Sequence, residues 1–213
     1  MKRGKFLTLE GGEGTGKSTQ AARLVDRLRG RGIEVVQTRE PGGTPGAEAL
    51  RALLVQGGAE RWSPTAELLL MYAARADHLE RVIRPALEHG AWVVSDRFAD
   101  SSRAYQGAGG GADPDLIERI DRGVVGLDQP DLTLIFDLPV ETGLKRAMAR
   151  GGDARFEAKG LGFHQRLRDG FLEIAAMHPD RCAVIDAAAD PEAVAERVWR
   201  EVEFRLLAEA ANG

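Results

Sequence analysis

The residues Gly11-Gly12-Glu13-Gly14-Thr15-Gly16-Lys17-Ser18, followed by Thr19, fit the spacing G-x-x-x-x-G-K-[ST]. Glycines let a backbone curl until several N–H groups face one anion, and a helix N-terminus adds partial positive charge. In that arrangement Lys17 reaches β- and γ-phosphates, and the Ser18 hydroxyl can ligate Mg²⁺. The chemistry is nucleoside triphosphate binding. The loop alone does not separate a kinase from a GTPase-type switch or an ATP-gated regulator.

A second set of charged groups decides more. Asp96-Arg97 follows the apolar run Ala91 to Ser95. At the carboxyl end of a parallel strand, Asp96 could organise Mg²⁺ and its waters, and Arg97 could hold a phosphate with its fork of donors. The plain alternative is an ion pair at a strand end. Arg39, Arg51 and Arg75 also suit a pocket for an acceptor phosphate, with Pro41 in the loop between the first two. Arg75 interrupts an apolar stretch and needs a partner, for which Asp77 or Glu80 would serve. In Asp100 to Gly107, a helix would put Ser102, Tyr105 and Gln106 on one face. That face offers a hydroxyl, an amide and an aromatic plate for a base and sugar, or else it is a polar helix surface. Finally, Lys145 to Glu157 is a basic helix end broken by Gly151-Gly152. Phosphoryl transfer needs positive charge on the migrating group and exclusion of water. Arg155, beyond the glycines, is placed to swing in as a lid arginine, with Arg150 second; Arg146 fits a solvated helix end better.

These residues must be held by alternating elements. Strands are predicted over Lys5 to Glu10, Ile33 to Thr38, Ala91 to Ser95, Leu132 to Leu138 and Ala183 to Ile185. Helices are predicted over Lys17 to Arg29, Ala47 to Val55, Thr65 to Glu88, Val140 to Arg150, Phe163 to Met177 and Pro191 to Ala208, with another opening at Asp113-Pro114. The alternation implies an α/β fold with a parallel sheet covered on both faces. The 213 residues suit one domain with a small mobile insert.

The formal net charge of −4 supplies no global positive field for nucleic acid. Cys182 is the single cysteine, so no intramolecular disulfide forms and no Cys/His cluster implies zinc. It reads as a small buried hydrophobe. The apolar run Phe6 to Leu9 is too short for a signal peptide or a membrane helix, which points to a cytoplasmic protein.

Taken in order, several pieces resemble the bacterial thymidylate kinases: Glu10 to Thr19, Thr38-Arg39-Glu40-Pro41-Gly42-Gly43-Thr44, Leu69 to Arg75, Asp96 to Gly107, Leu144 to Phe156, Pro130-Asp131 and Asp186-Ala187-Ala188. The likeness covers nearly the whole chain. It implies a P-loop NTPase fold with a five-stranded parallel sheet, a lid at about residues 147–160 and a homodimer. The implied reaction is ATP + dTMP → ADP + dTDP with Mg²⁺. It also implies roles: Glu13 for the deoxyribose 3′-hydroxyl, Arg51 and Arg97 for the acceptor phosphate, and Arg75 for the thymine 4-carbonyl. Ser102 and Gln106 fall on base-contacting positions, and Tyr105 on the position that disfavours a 2′-hydroxyl. Two positions depart from the family pattern. Met71 stands where phenylalanine usually stacks on the base, and Phe98 replaces the usual tyrosine after Asp-Arg. A kinase for dUMP, dCMP or a deoxynucleoside is the nearest alternative. A non-catalytic ATP-dependent regulator is the more distant one, and lid arginines argue against it.

Overall fold

Five strands alternate with helices along the chain, in a computed structural model that describes residues 3–58, 60–149 and 154–208. The elements are β1 (Phe6–Gly11), α1 (Lys17–Gly30), β2 (Val35–Arg39), α2 (Pro45–Val55), α3 (Pro64–His78), α4 (Arg84–Glu88), β3 (Trp92–Asp96), α5 (Ala99–Ser102), α6 (Pro114–Val124), β4 (Leu132–Asp137), α7 (Val140–Met148), α8 (Ala154–Glu157), α9 (Leu161–Met177), β5 (Cys182–Asp186) and α10 (Pro191–Val202). Three π-helical stretches extend α3, α5 and α10: Leu79–Ile83, Arg103–Gly109 and Glu203–Leu207. The single helix predicted over Thr65 to Glu88 is therefore one helical rod with a π turn inside it.

The strands form one parallel sheet in the order β2-β3-β1-β4-β5. Alternate residues serve opposite faces, as the two-residue strand period requires. Leu7 and Leu9 of β1 pack with Leu24, Val25 and Leu28 of α1 and with Val198 of α10. Phe6 of the same strand packs on the other face with Leu68, Ile83 and Phe98. A third cluster joins Ile135 of β4 to Phe156 of α8 and to Phe163, Leu167 and Phe171 of α9. Cys182 is buried in that cluster, as its composition-based reading requires.

Local chemistry starts the helices where they are needed. Thr44 and Ser63 accept hydrogen bonds from Ala47 N and Ala66 N, each followed by proline at the first helical position. Asp113 and Asp190 do the same for α6 and α10. Strand register then gathers the chemistry. Arg39 pairs with Asp96, and Leu9 pairs with Asp96 from the other side. The carboxyl ends of β2, β3 and β1 thus lie side by side, where open parallel sheets bind their ligands.

Among the described residues, no helix is long and apolar enough to cross a membrane.

Candidate active site

The turn after β1 wraps back on itself. Gly14 and Gly16 have φ of 70° and 89°, a region that residues with a Cβ rarely adopt. At Gly14 a Cβ would also lie 1.9 Å from the Gly143 carbonyl oxygen, so α7 packs against bare backbone there. Lys17 opens α1, and its Nζ donates to the Gly12 carbonyl at 2.7 Å and to Thr15 Oγ1 at 3.2 Å. Burial, followed by the nearby Arg97 guanidinium, pushes the Lys17 ammonium down to about 8. Ser18 Oγ donates to Asp96 Oδ2 at 2.5 Å, so the hydroxyl and carboxylate proposed for a metal stand together.

Arg97 has a φ of 74° and is the only non-glycine residue with positive φ among the described residues. Such a backbone costs on the order of 1–3 kcal/mol and persists only when its surroundings hold it. Here they do. Arg97 N donates to the Leu9 carbonyl at 3.0 Å, and Ser95 Oγ donates to the Arg97 carbonyl at 2.7 Å. The guanidinium donates to the Gly11 carbonyl at 2.9 Å and to Glu13 Oε1 at 3.1 Å, and lies 4.7 Å from the Tyr105 ring centre. Tyr105 Oη also donates to Glu13 Oε1, at 2.6 Å. Burial pulls the Glu13 carboxyl up, but Arg97 and Lys17 outweigh it and hold the group below its usual value. Burial pushes the Tyr105 hydroxyl well above its usual range, so it remains a donor.

Beneath Arg97 lies Glu10, fully buried on β1. It accepts from Phe98 N at 2.7 Å and from Ser101 Oγ at 2.5 Å. Burial, and then the Asp100 carboxylate, pushes it up to about 7.

Arg75 is also buried. It donates to Glu40 Oε2 at 2.8 Å, Ser102 Oγ at 3.1 Å and the Phe98 carbonyl at 2.9 Å, and stacks on the Tyr72 and Phe98 rings. Its ionic partner is Glu40, not the expected Asp77 or Glu80, because the loop after β2 folds over α3. The second oxygen of Glu40 meets His78 Nδ1 at 3.0 Å.

One cavity of about 530 Å³ unites these groups. Its lining includes Glu13, Gly14, Thr15, Gly16, Lys17 and Ser18 of the phosphate loop together with Met71, Arg75, Ser102, Tyr105 and Gln106, and the two sets meet where Tyr105 bonds to Glu13. Asp96 and Arg97 lie along it, as do Arg39, Pro41 and Arg51, and Arg51 Nη1 donates to the Pro41 carbonyl at 3.1 Å. A site for a nucleoside triphosphate therefore opens directly onto a site with an aromatic plate, an arginine and an amide.

A family model described as thymidylate kinase matches residues 9–198. The chain belongs to the thymidylate kinase family. The thymidylate kinase of Caulobacter vibrioides is 62% identical over 206 residues, covering 97% of this chain and 99% of the relative. That of Bradyrhizobium diazoefficiens is 53% identical over 213 residues, covering 99% and 93%. Among solved structures, the thymidylate kinase from Ehrlichia chaffeensis matches with a TM-score of 0.77 at 34% identity, covering 94% of this chain and 99% of that one. The P-loop NTPase fold expected from the sequence is the fold found, and phosphorylation of dTMP is the activity of thymidylate kinases.

Set against the thymidylate kinase expectations, the structure brings most of the proposed residues to one cavity. Gly11, Gly12 and Thr19 do not line the cavity. Arg39 lines it from an exposed position while paired with Glu48. Met71 lines it, whereas Tyr72 turns into the core and donates to Asp121 at 3.0 Å, so it does not take over base stacking. Arg155 is the clear departure. It was expected to reach toward the transferred phosphoryl group. Instead its guanidinium is buried, donates to the Leu54 carbonyl at 2.9 Å and the Gly58 carbonyl at 3.2 Å, and forms an ion pair with Glu67. A carboxylate on α3 and the open carbonyls at the end of α2 outcompete the cavity for it. Arg150 and Gly151-Gly152 lie outside the described residues. Sequence reasoning missed Glu10, Glu40 and Glu67. For Glu40 and Glu67 a signal existed, since buried arginines demand carboxylates, but pairing across elements is invisible along the chain; Glu10 is bonded to Phe98 N and Ser101 Oγ instead.

Proposed function

We propose that this chain carries out the family reaction with Mg²⁺-ATP, through a division of labour along the one cavity. Lys17 and the loop N–H groups take the β- and γ-phosphates of ATP, and Arg97 and Arg51 hold the acceptor phosphate of dTMP. Arg75, Ser102 and Gln106 read the base, and Glu13 with Tyr105 tests the sugar. The observation that carries this reading is that the phosphate loop and the base-reading set line the same cavity, with Arg97 between them.

The acceptor phosphate is already an anionic nucleophile, so the site needs no strong base. Its contribution is alignment and neutralisation of charge. Ser18 and Asp96 would hold Mg²⁺. Among the described residues no cluster of three or more carboxylates, histidines or cysteines surrounds a metal position. Two oxygen donors with the remaining positions left to phosphates and water suit Mg²⁺, which keeps much of its hydration. When bound, the ion neutralises charge on the β- and γ-oxygens. The lid cation is assigned to Arg150 rather than Arg155, because Arg155 is already committed to Glu67.

A homodimer and a cytoplasmic location belong to the same reading. Leu53 on α2 and Leu69 on α3 are 41% and 52% exposed and would gain from a partner surface, which sedimentation velocity would detect. The test of function is ADP release with dTMP, dUMP, dCMP, dGMP or no acceptor. Release should depend on acceptor and be fastest with dTMP. Acceptor-independent hydrolysis would favour the regulator reading, and a preference for dCMP or dGMP would overturn the assignment of dTMP.

A further inference from the structure

The base-reading end of the cavity is organised by a residue that does not line it. Glu67, on α3, is 3% exposed. Its Oε1 accepts from Gln106 Nε2 at 2.9 Å, and its Oε2 takes the Arg155 guanidinium. Lys159 Nζ stands 3.9 Å from Oε1. A carboxylate has no hydrogen to give. The Gln106 amide must therefore turn its NH₂ end toward Glu67 and its carbonyl away, toward the cavity that Gln106 lines.

Arg75 lines the same cavity. Of its five N–H groups it spends one each on Glu40, Ser102 and the Phe98 carbonyl, so two remain. An acceptor at Gln106 and donors at Arg75 match a base edge that carries an N–H beside a C=O. Thymine and uracil have that edge, as N3–H and O4. Cytosine has the opposite one, a lone pair at N3 beside an amino group.

We propose that Glu67 is a positioning residue that sets the polarity of base recognition by locking the Gln106 amide, with lid residue Arg155 as its counter-ion. The proposal rests on the dTMP reading above and deepens it. It also gives Arg155 a function where it lies: it supplies the opposite charge that a buried carboxylate needs, and so joins α8 to the base reader.

The test is kcat/KM for dTMP, dUMP and dCMP in the full-length wild type, Glu67→Gln and Glu67→Asp, with thermal melts as the folding control. A wild type that does not prefer dTMP over dCMP would fail the underlying reading, separately from this proposal. Glutamine at position 67 is isosteric but can present either oxygen or nitrogen, which frees Gln106 to turn. In Glu67→Gln the dTMP:dCMP ratio should fall roughly tenfold to a hundredfold. The dTMP:dUMP ratio should hold, because both bases present the same edge. Equal losses on all three substrates, or a shift in both ratios, would make Glu67 merely structural and overturn the proposal. Should the Gln variant not fold, Glu67→Asp decides. It keeps an acceptor-only group, so its dTMP:dCMP ratio should stay within a few-fold of wild type even where rates drop, and a collapsed ratio sinks the idea.

Discussion

Replacing Glu10 with glutamine should change how stability depends on pH, and the size of the change follows from the burial of this carboxyl under Arg97. Glu10 is fully buried, with Phe98 N and Ser101 Oγ as its donors and Asp100 nearby. Its pKa rises from 4.5 in the unfolded chain to about 7 in the folded one. Between those values the unfolded chain has lost the proton and the folded protein has kept it. The unfolded state thus binds fewer protons, and stability falls as pH rises. The favourable contribution is complete below the unfolded pKa and is lost by the time pH passes the folded one. At about 1.4 kcal/mol per unit, the whole loss is about 3 kcal/mol, of which roughly 2.5 falls between pH 5 and pH 8. Glutamine is neutral throughout and lacks this term. Urea denaturation of wild type and Glu10→Gln at pH 5, 6, 7 and 8, at constant ionic strength, isolates it as a difference. The variant should gain about 2.5 kcal/mol on the wild type across that range, whatever its offset at pH 5. A difference flat to within about 0.5 kcal/mol would show that Glu10 ionises normally, and the burial argument would fail.

Four further outcomes follow from the same geometry. Lys17→Ala should lower kcat by about a hundredfold or more while melting normally. In the wild type, kcat/KM for ATP should fall above about pH 8 as free Lys17 loses its proton, while kcat at saturating ATP holds to higher pH because bound phosphates favour the ammonium. Gly14→Ala would force a Cβ to within 1.9 Å of the Gly143 carbonyl at a φ of 70°, so ATP affinity measured by calorimetry should drop sharply; unchanged affinity would show that loop and α7 can part freely. Arg155→Ala leaves Glu67 buried without its guanidinium and should cost about 3–5 kcal/mol in denaturant. Single-turnover phosphoryl transfer should change much less, and a hundredfold slower chemical step at unchanged stability would return Arg155 to the catalytic lid role.

The parts of the site legible in the sequence were those whose chemistry depends on neighbours in the chain. The phosphate loop is a local device: glycine spacing, a lysine and a serine at a helix start specify it, and Gly14, Gly16, Lys17 and Ser18 stand where such a loop needs them. Strand and helix boundaries followed from periodicity and capping. Examples are Ser63-Pro64 at the start of α3 and Asp113-Pro114 at the start of α6. Ser102, Tyr105 and Gln106 do share a cavity-lining face, although the backbone there is π-helical from Arg103 onward.

Tertiary structure alone decided which charge meets which. Arg75 sits in sequence beside Asp77 and Glu80, yet it is paired with Glu40, 35 residues away. Arg155 looked mobile because glycines precede it, yet Glu67, 88 residues earlier, takes it out of the cavity. The physical reason is the same in both cases. Spacing along a chain fixes which side chains share a face, but a buried charge goes to the partner that the packing of elements brings within reach, and that packing is settled by the sheet and its cores. Register made the final difference for the pair proposed to hold Mg²⁺. Ser18 and Asp96 lie 78 residues apart, and they meet because β1 and β3 are parallel neighbours whose carboxyl ends are level.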